Sequence, residues 1–208
     1  MQDCETIVFT YIMRCIMIGT LLCINNAPSA GRHRAIQCMD MTQVGRKSRE
    51  RVEHTLGPLF DGRSKTLVLG TMPSPKSREV SMYYGNPRNR FWPVLAAVLG
   101  EPVPTTNEER RALALAHGVA LWDVLQSCTI VGASDASIED PEPTDLPWLL
   151  SQAPITRMFT TGATAARLYA RFQLPRTGIE AVALPSTSPA NASWSLERLV
   201  SAYRVLAE

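Results

Sequence analysis

The stretch YYGNPRNRFW, residues 83–92, gathers stacking, charge and neutral hydrogen bonding in one short segment. Tyr83, Tyr84, Phe91 and Trp92 offer flat apolar faces, Arg88 and Arg90 positive charge, and Asn86 and Asn89 uncharged amides. A core strand does not carry two arginines and a proline, and an ordinary surface loop does not carry four large aromatics. The combination suits a surface that stacks, meets an anion and presents a neutral amide. Two other segments, GTMPSPKS (70–77) and LPSTSPANAS (184–193), are rich in hydroxyls and prolines. Familiar catalytic machinery is missing. The histidines are His33, His54 and His117, the first in a doubtful N-terminal region and the last at a predicted helix end, and no serine sits in GxSxG, which argues against a Ser–His–acid triad. There is no HExxH or His/Cys/Asp cluster for a metal, LGTMPSPKS lacks the GxxxxGK[ST] pattern, and no GxGxxG occurs. What remains is a site of loops, amides, hydroxyls and aromatics.

These segments need a scaffold, and the hydrophobic pattern predicts one. KTLVLGTMP (65–73) reads as a buried parallel strand running into a loop. GVALWDVL (118–125), ITRMFTTG (155–162) and the start of EAVALPSTSPANAS (180–193) read as three more strands. Apolar residues at 91, 94, 95, 98 and 99 predict a helix ending at Gly100. A second helix is predicted over 107–117 with Asn107 as its cap, a third over ATAARLYARF, and a last one burying Leu196, Leu199, Val200, Tyr203 and Leu206. The acidic segment SDASIEDPEPTD (134–145) reads as a loop. Strands alternating with helices predict an α/β domain with a mainly parallel sheet. In such sheets ligands bind beyond the carboxyl ends of the strands, which is where the unusual loops fall.

The net charge is only +2, but its distribution is uneven. Residues 42–90 hold ten Lys/Arg against four acids, and residues 101–147 hold two Arg against nine acids. One face suited to an anionic partner is one reading, and two ordinary solvated faces is the other. The five cysteines show no CxxC pair, four of them precede the globular pattern, and an iron–sulfur cluster is not expected. A reduced, cytoplasmic protein is the simplest reading. The apolar run IVFTYIMRCIMIGTLLCI (7–24) is interrupted by Arg14 and is preceded by Asp3 and Glu5 rather than by basic residues. Residues 1–40 are therefore read as an extension outside the fold, with Met39 or Met41 as the start of a single domain over 41–208. A membrane anchor is the alternative.

From about His54 onward, LGTMPSPKS…YYGNPRNRFW, then LWDVLQSC…GASDASI, then LPSTSPAN, in that order, resembles the uracil-DNA glycosylase superfamily. Within it the match is to the hypoxanthine-DNA glycosylase branch, related to the mismatch-specific uracil glycosylases. The resemblance implies a three-layer α/β/α fold around a mainly parallel four-stranded sheet. It implies a monofunctional repair enzyme that flips a deaminated base out of DNA and hydrolyses its bond to the sugar, hypoxanthine foremost and uracil second. No metal or cofactor is needed, the partner is DNA at the nucleoid, no membrane is involved, and a monomer suffices. The mismatch-specific relatives carry an Asn in the first motif where this chain has Met72, which can neither hold water nor hydrogen-bond a base. The hypoxanthine branch places an Asn elsewhere, and the matching position is Asn89, whose structural alternative is a helix N-cap. Gly70, Met72, Tyr83, Tyr84, Phe91 and Asp123 are expected around the base, with loop bracing as the alternative for Asp123. Ser74, Lys76, Arg88, Arg90, Ser186, Ser188 and Asn191 are expected at the DNA backbone, with a helix cap as the alternative for Asn191. Two competing readings are a non-catalytic DNA- or nucleotide-binding member of the same fold and an unrelated α/β enzyme acting on a small phosphorylated ligand.

Overall fold

The computed structural model describes residues 48–132 and 134–208, and the extension expected at 1–40 lies outside them. The chain begins with β1 (Arg49–Glu53) and β2 (Thr66–Gly70), followed by a short helix α1 (Pro75–Glu79), α2 (Phe91–Leu99) and α3 (Asn107–Ala116). Then come β3 (Val119–Asp123), β4 (Leu125–Val131), β5 (Glu139–Pro143), α4 (Leu146–Gln152) and β6 (Arg157–Thr161). Helix α5 (Ala163–Leu168) passes through a π turn (Tyr169–Gln173) into α6 (Leu174–Thr177), before β7 (Ala181–Leu184) and α7 (Leu196–Tyr203).

The central sheet has the order β3-β2-β6-β7 and every pairing is parallel. Helices flank it to give the three-layer α/β/α architecture. Strand β2 is buried at every position, with Leu67, Val68 and Leu69 fully inaccessible. A strand covered on both faces needs a continuous apolar run rather than alternation, and TLVLG supplies it. Each of those side chains contributes about 1.5–3 kcal/mol of burial free energy. Helix α2 packs on α7, α3 on β3, and α5 on β6 and β7. Helix α2 ends where expected, with Gly100 in the left-handed region at φ 73°.

Several local expectations are corrected. The predicted strand 118–125 breaks at Val124: β3 stays in the central sheet, while β4 leaves to form a second, antiparallel sheet of order β1-β4-β5. The acidic segment is not all loop, since residues 139–143 pair with β4 in irregular register. Prolines and acids are tolerated there because β5 is an edge strand. Arg49 pairs with Glu139, and Arg51 meets Glu142 at 2.8 Å. Part of the basic and acidic halves of the chain thus meet each other rather than forming two separate faces. Helix α3 is capped by Thr106 in a reciprocal capping box with Glu109, and Asn107 instead donates Nδ2 to the Val80 carbonyl at 2.8 Å. Helix α7 is capped by Ser195, not Asn191, and Leu196 lies exposed rather than in the core. Among the described residues no helix is long and apolar enough to cross a membrane.

Candidate active site

Parallel strands end on the same side, so the segments after β2, β3, β6 and β7 meet there. They line a cleft of about 590 Å³ to which Gly70–Pro75, Asp123, Thr161 and Ser186–Asn191 all contribute. Sheet register decides the neighbours. Gly70 pairs with Asp123, and Thr161 with Leu184. The YYGNPRN segment closes one wall with Tyr83, Tyr84, Asn86 and Asn89.

Asn89 sits in a tight turn. Asn86 Oδ1 accepts from Arg88 N–H at 3.0 Å and the Asn86 carbonyl from Asn89 N–H at 2.8 Å. The Asn89 side chain then does two things. Its Oδ1 accepts from Phe91 N–H at 2.9 Å, so it satisfies a free donor at the start of α2, and from Thr187 Oγ1–H at 2.8 Å. Two donors on one atom identify it as the carbonyl oxygen, which leaves Nδ2 as the group the amide offers to the cleft. The N-cap position itself is Arg90, so Asn89 serves the first helical N–H from one residue further out while presenting its amide.

The aromatics divide. Phe91 is fully buried and lies under Tyr84, with ring centroids 3.8 Å apart and planes 14° from parallel. Tyr84 lines the cleft at φ 53° and its hydroxyl lies 3.1 Å from Thr161 Oγ1. With one face on Phe91, it can offer a ligand only its other face or its edge. Tyr83 borders the cleft but is 5% exposed, and its hydroxyl donates to the Gly57 carbonyl at 2.9 Å. Burial, reinforced by the negative charge of Asp123, pushes both tyrosine hydroxyls up, so both stay neutral donors.

The expected DNA-backbone residues also divide. Ser186, Ser188 and Asn191 line the cleft. They brace their own loop as well: Ser186 Oγ accepts from Ser188 N–H at 3.2 Å, and Asn191 Nδ2 donates to the Ser186 carbonyl at 2.8 Å. Ser74 lines the cleft and caps α1, accepting from Ser77 N–H at 3.2 Å. Lys76 lies outside the cleft, paired with Glu79 at 2.6 Å, and Arg88 is exposed outside it. Arg90 is turned into the protein. Its guanidinium donates to the carbonyls of Ser188 and Asn191 at 2.9 Å each, of Thr187 at 3.4 Å, and of Trp194. One planar fork thus holds the whole 187–194 loop.

Gly162, at the turn from β6 into α5, has φ 95°, and a Cβ there would lie 3.2 Å from Ser186 Cβ. Gly162→Ala is expected to cost about 1–3 kcal/mol in urea unfolding and to displace the Ser186 loop. An unchanged midpoint would show that the turn is not constraining.

The match to known proteins agrees with this layout. The family model described as "Uracil DNA glycosylase superfamily" matches residues 58–207. The chain belongs to that superfamily. It is 33% identical over 141 residues to a hypoxanthine DNA glycosylase of Methanosarcina acetivorans, covering 67% of this chain and 89% of the relative. It is 31% identical over 135 residues to the Methanosarcina barkeri protein of the same description, covering 64% and 85%. Among solved structures, the solution NMR structure of a Methanosarcina acetivorans protein provisionally called a uracil DNA glycosylase superposes with a TM-score of 0.62 at 28% identity. That match covers 74% of this chain and 97% of the other. The resemblance to the hypoxanthine branch drawn from the loops is borne out by these relatives.

In this uracil-DNA glycosylase superfamily member, the sequence reading passed over four residues that build the site. Thr187, 1% exposed, fixes the Asn89 amide. Ser77 Oγ accepts from Gly85 N–H at 3.1 Å and ties the first loop to the aromatic one. Arg78 lines the cleft and donates to the Pro73 carbonyl at 3.0 Å. His54 is buried against Asp123, Nε2 to Oδ2 at 2.9 Å. The one available signal was the order STS between the two prolines of LPSTSP, where the middle hydroxyl, not its neighbours, turns inward. Among the described residues no group of three His, Cys, Asp or Glu is arranged to hold a metal. Cys128 is fully buried, and burial raises its thiol, which makes it a packing residue.

Proposed function

We propose that the protein is a DNA glycosylase that excises a deaminated base, hypoxanthine foremost and uracil second. The observation that carries this reading is the Asn89 amide, with Oδ1 held by two donors and Nδ2 left for the cleft, in a chain of this superfamily. The target nucleotide turns out of the duplex into the cleft, where Tyr84 stacks against the base. Gly70, Met72 and Asp123 form the floor around it. The bond between C1′ and the base nitrogen breaks, and its electron pair leaves with the base. Water adds to the cationic sugar carbon, and its released proton balances the charge on the departing base. Nδ2 of Asn89 donates to the attacking water's oxygen or to the leaving base, a positioned dipole that needs no reorganisation. Phe91 acts from beneath as support for Tyr84 rather than as a stacking face, and Tyr83 is anchored by its hydroxyl to the Gly57 carbonyl.

Ser186, Ser188 and Asn191 border the phosphates and sugar around the flipped nucleotide, and Arg78 and Arg88 add positive charge. Duplex affinity is expected to fall roughly 10- to 100-fold between about 50 and about 200 mM salt, for two to four phosphate contacts. A flat salt dependence, measured by fluorescence anisotropy, contradicts a phosphate-bound interface.

The deciding experiment incubates the full chain with duplexes carrying deoxyinosine or deoxyuridine, treats them with alkali and scores strand cleavage at the modified site. Cleavage at deoxyinosine supports the proposal. Duplex binding with no cleavage at either base removes the excision reading and leaves a DNA-binding member of the fold.

A further inference from the structure

We propose that Gln173 is a positioning residue for excision: from the π turn, outside the cleft, its side-chain amide clamps the break between β3 and β4 and so holds the cleft floor in place. The inference rests on the glycosylase reading above and deepens it.

The π turn has a local cause. Pro175 has no N–H to give the Arg171 carbonyl, and its ring crowds that carbonyl, so a regular helix does not run through it. The chain widens instead, and Leu174 N–H bonds the Tyr169 carbonyl five residues back. In a regular helix each residue turns the side chain by about 100°. The extra residue of the wider turn resets that phase, and Gln173 faces inward with no accessible surface. A primary amide is costly to bury unless both of its ends are paired.

Both ends are paired. Nε2 donates to the Val124 carbonyl at 3.1 Å and to the Thr144 carbonyl at 3.0 Å, and Oε1 accepts from Arg176 Nη1 at 3.2 Å. Turning the amide over would set Oε1 against two carbonyls, so its orientation is fixed. Thr144, 1% exposed, completes the clamp. Its hydroxyl donates to the Asp123 carbonyl at 2.9 Å, and its N–H to the Val124 carbonyl at 3.0 Å. From the same break, Val124 N–H donates to the Gly70 carbonyl at 2.9 Å and Leu125 N–H to the Thr71 carbonyl at 3.2 Å.

The break is therefore held by two sets of contacts. One set joins it to Gly70 and Thr71, which line the cleft, and the other to Thr144 and Gln173, which do not. Asp123 is the residue immediately before the break, so the direction of its side chain follows the backbone there. Without the Gln173 donors the Val124 carbonyl keeps Thr144 N–H, and the Thr144 carbonyl keeps Arg176 Nη1 at 2.7 Å. No carbonyl is orphaned, so the fold survives. What is lost is an anchor that stops the break from shifting, and a shift of about 1 Å at a reacting centre can cost about 100-fold in rate.

The test uses the full chain. Gln173→Met keeps the length of the side chain and removes both donors. It is expected to lower single-turnover excision of deoxyinosine by about 10-fold or more. Affinity for an undamaged duplex should stay unchanged, and amide exchange at Val124 and Leu125 should quicken. Tyr169→Phe is the control, because it loosens the same turn without touching the break: its hydroxyl donates to the Ile179 carbonyl at 2.6 Å. Excision should be unchanged in it. Equal losses of excision in the two variants, measured equally far below their urea midpoints, overturn the proposal, because Gln173 then supplies stability alone. Unchanged exchange at Val124 and Leu125 in Gln173→Met overturns it as well. Should Gln173→Met not fold, Thr144→Val is read instead, since it removes only the hydroxyl on the Asp123 carbonyl; unchanged excision and exchange in that variant count against the clamp. If the parent chain cleaves neither deoxyinosine nor deoxyuridine, the excision reading fails, and exchange at the break alone decides whether Gln173 clamps it.

Discussion

Asn89→Asp is expected to fold like the parent protein and to lose excision by about 100- to 1,000-fold, the range for removing one positioned donor from a reacting centre. The argument turns on the two ends of one amide. Its oxygen receives Phe91 N–H at 2.9 Å and Thr187 Oγ1–H at 2.8 Å, and an aspartate oxygen can receive both. A negative group at the start of a helix is also favourable. The other end changes from a donor to an anionic acceptor, which can no longer donate to water or to a departing base. Asn89→Ala should lose excision to the same degree. It should also unfold more easily, by about 1–2 kcal/mol, since the helix loses its acceptor and the buried Thr187 hydroxyl is orphaned. Single-turnover release of hypoxanthine and urea midpoints, measured on both variants, separate the roles. An active aspartate variant would show that the Nδ2 donor is not used. An alanine variant as stable as the aspartate one would remove the capping contribution.

Arg90→Ala should destabilise the protein by about 3 kcal/mol, the scale of losing several hydrogen bonds to a charged donor at a half-buried site. The guanidinium reaches the carbonyls of Thr187, Ser188, Asn191 and Trp194, which lie along one loop. Arg90→Lys keeps the charge but replaces a planar fork by a compact ammonium, so it should recover less than half of the loss. The loop also holds Thr187 against Asn89, and both variants should therefore lower excision. A phosphate contact predicts the opposite pattern. Stability would then be unchanged, lysine would substitute well, and alanine would reduce the salt slope of duplex binding by about 1. Urea unfolding together with the salt slope distinguishes the two.

The same arginine marks the boundary between what the chain reveals on reading and what folding adds. Continuous apolar runs such as TLVLG identify buried parallel strands, and parallel strands bring their following loops to one edge. The cleft's location was therefore legible from hydrophobic pattern and topology. The ordered motifs GTMPSPKS, YYGNPRNRFW and LPSTSPAN were enough for the superfamily, because loops that carry chemistry keep unusual residue combinations in order. The resemblance to the hypoxanthine branch pointed to Asn89, while residue type and spacing left a helix cap as its alternative. They could not say which way Arg90 points: phosphate oxygens and backbone carbonyls are both acceptors, and only the path of the 187–194 loop supplies the second. Nor could they pair His54 with Asp123, 69 residues apart, or Thr187 with Asn89, 98 residues apart. Those contacts depend on strand register and loop closure, where one residue of slip turns a side chain to the opposite face. The second sheet was hidden for a related reason. A proline-bearing acidic edge strand has no periodic signature of its own, and it is held by the basic strand two places away in the sheet. Local pattern determined the scaffold and the site's position, and tertiary register decided which polar groups are braces and which are left free to act.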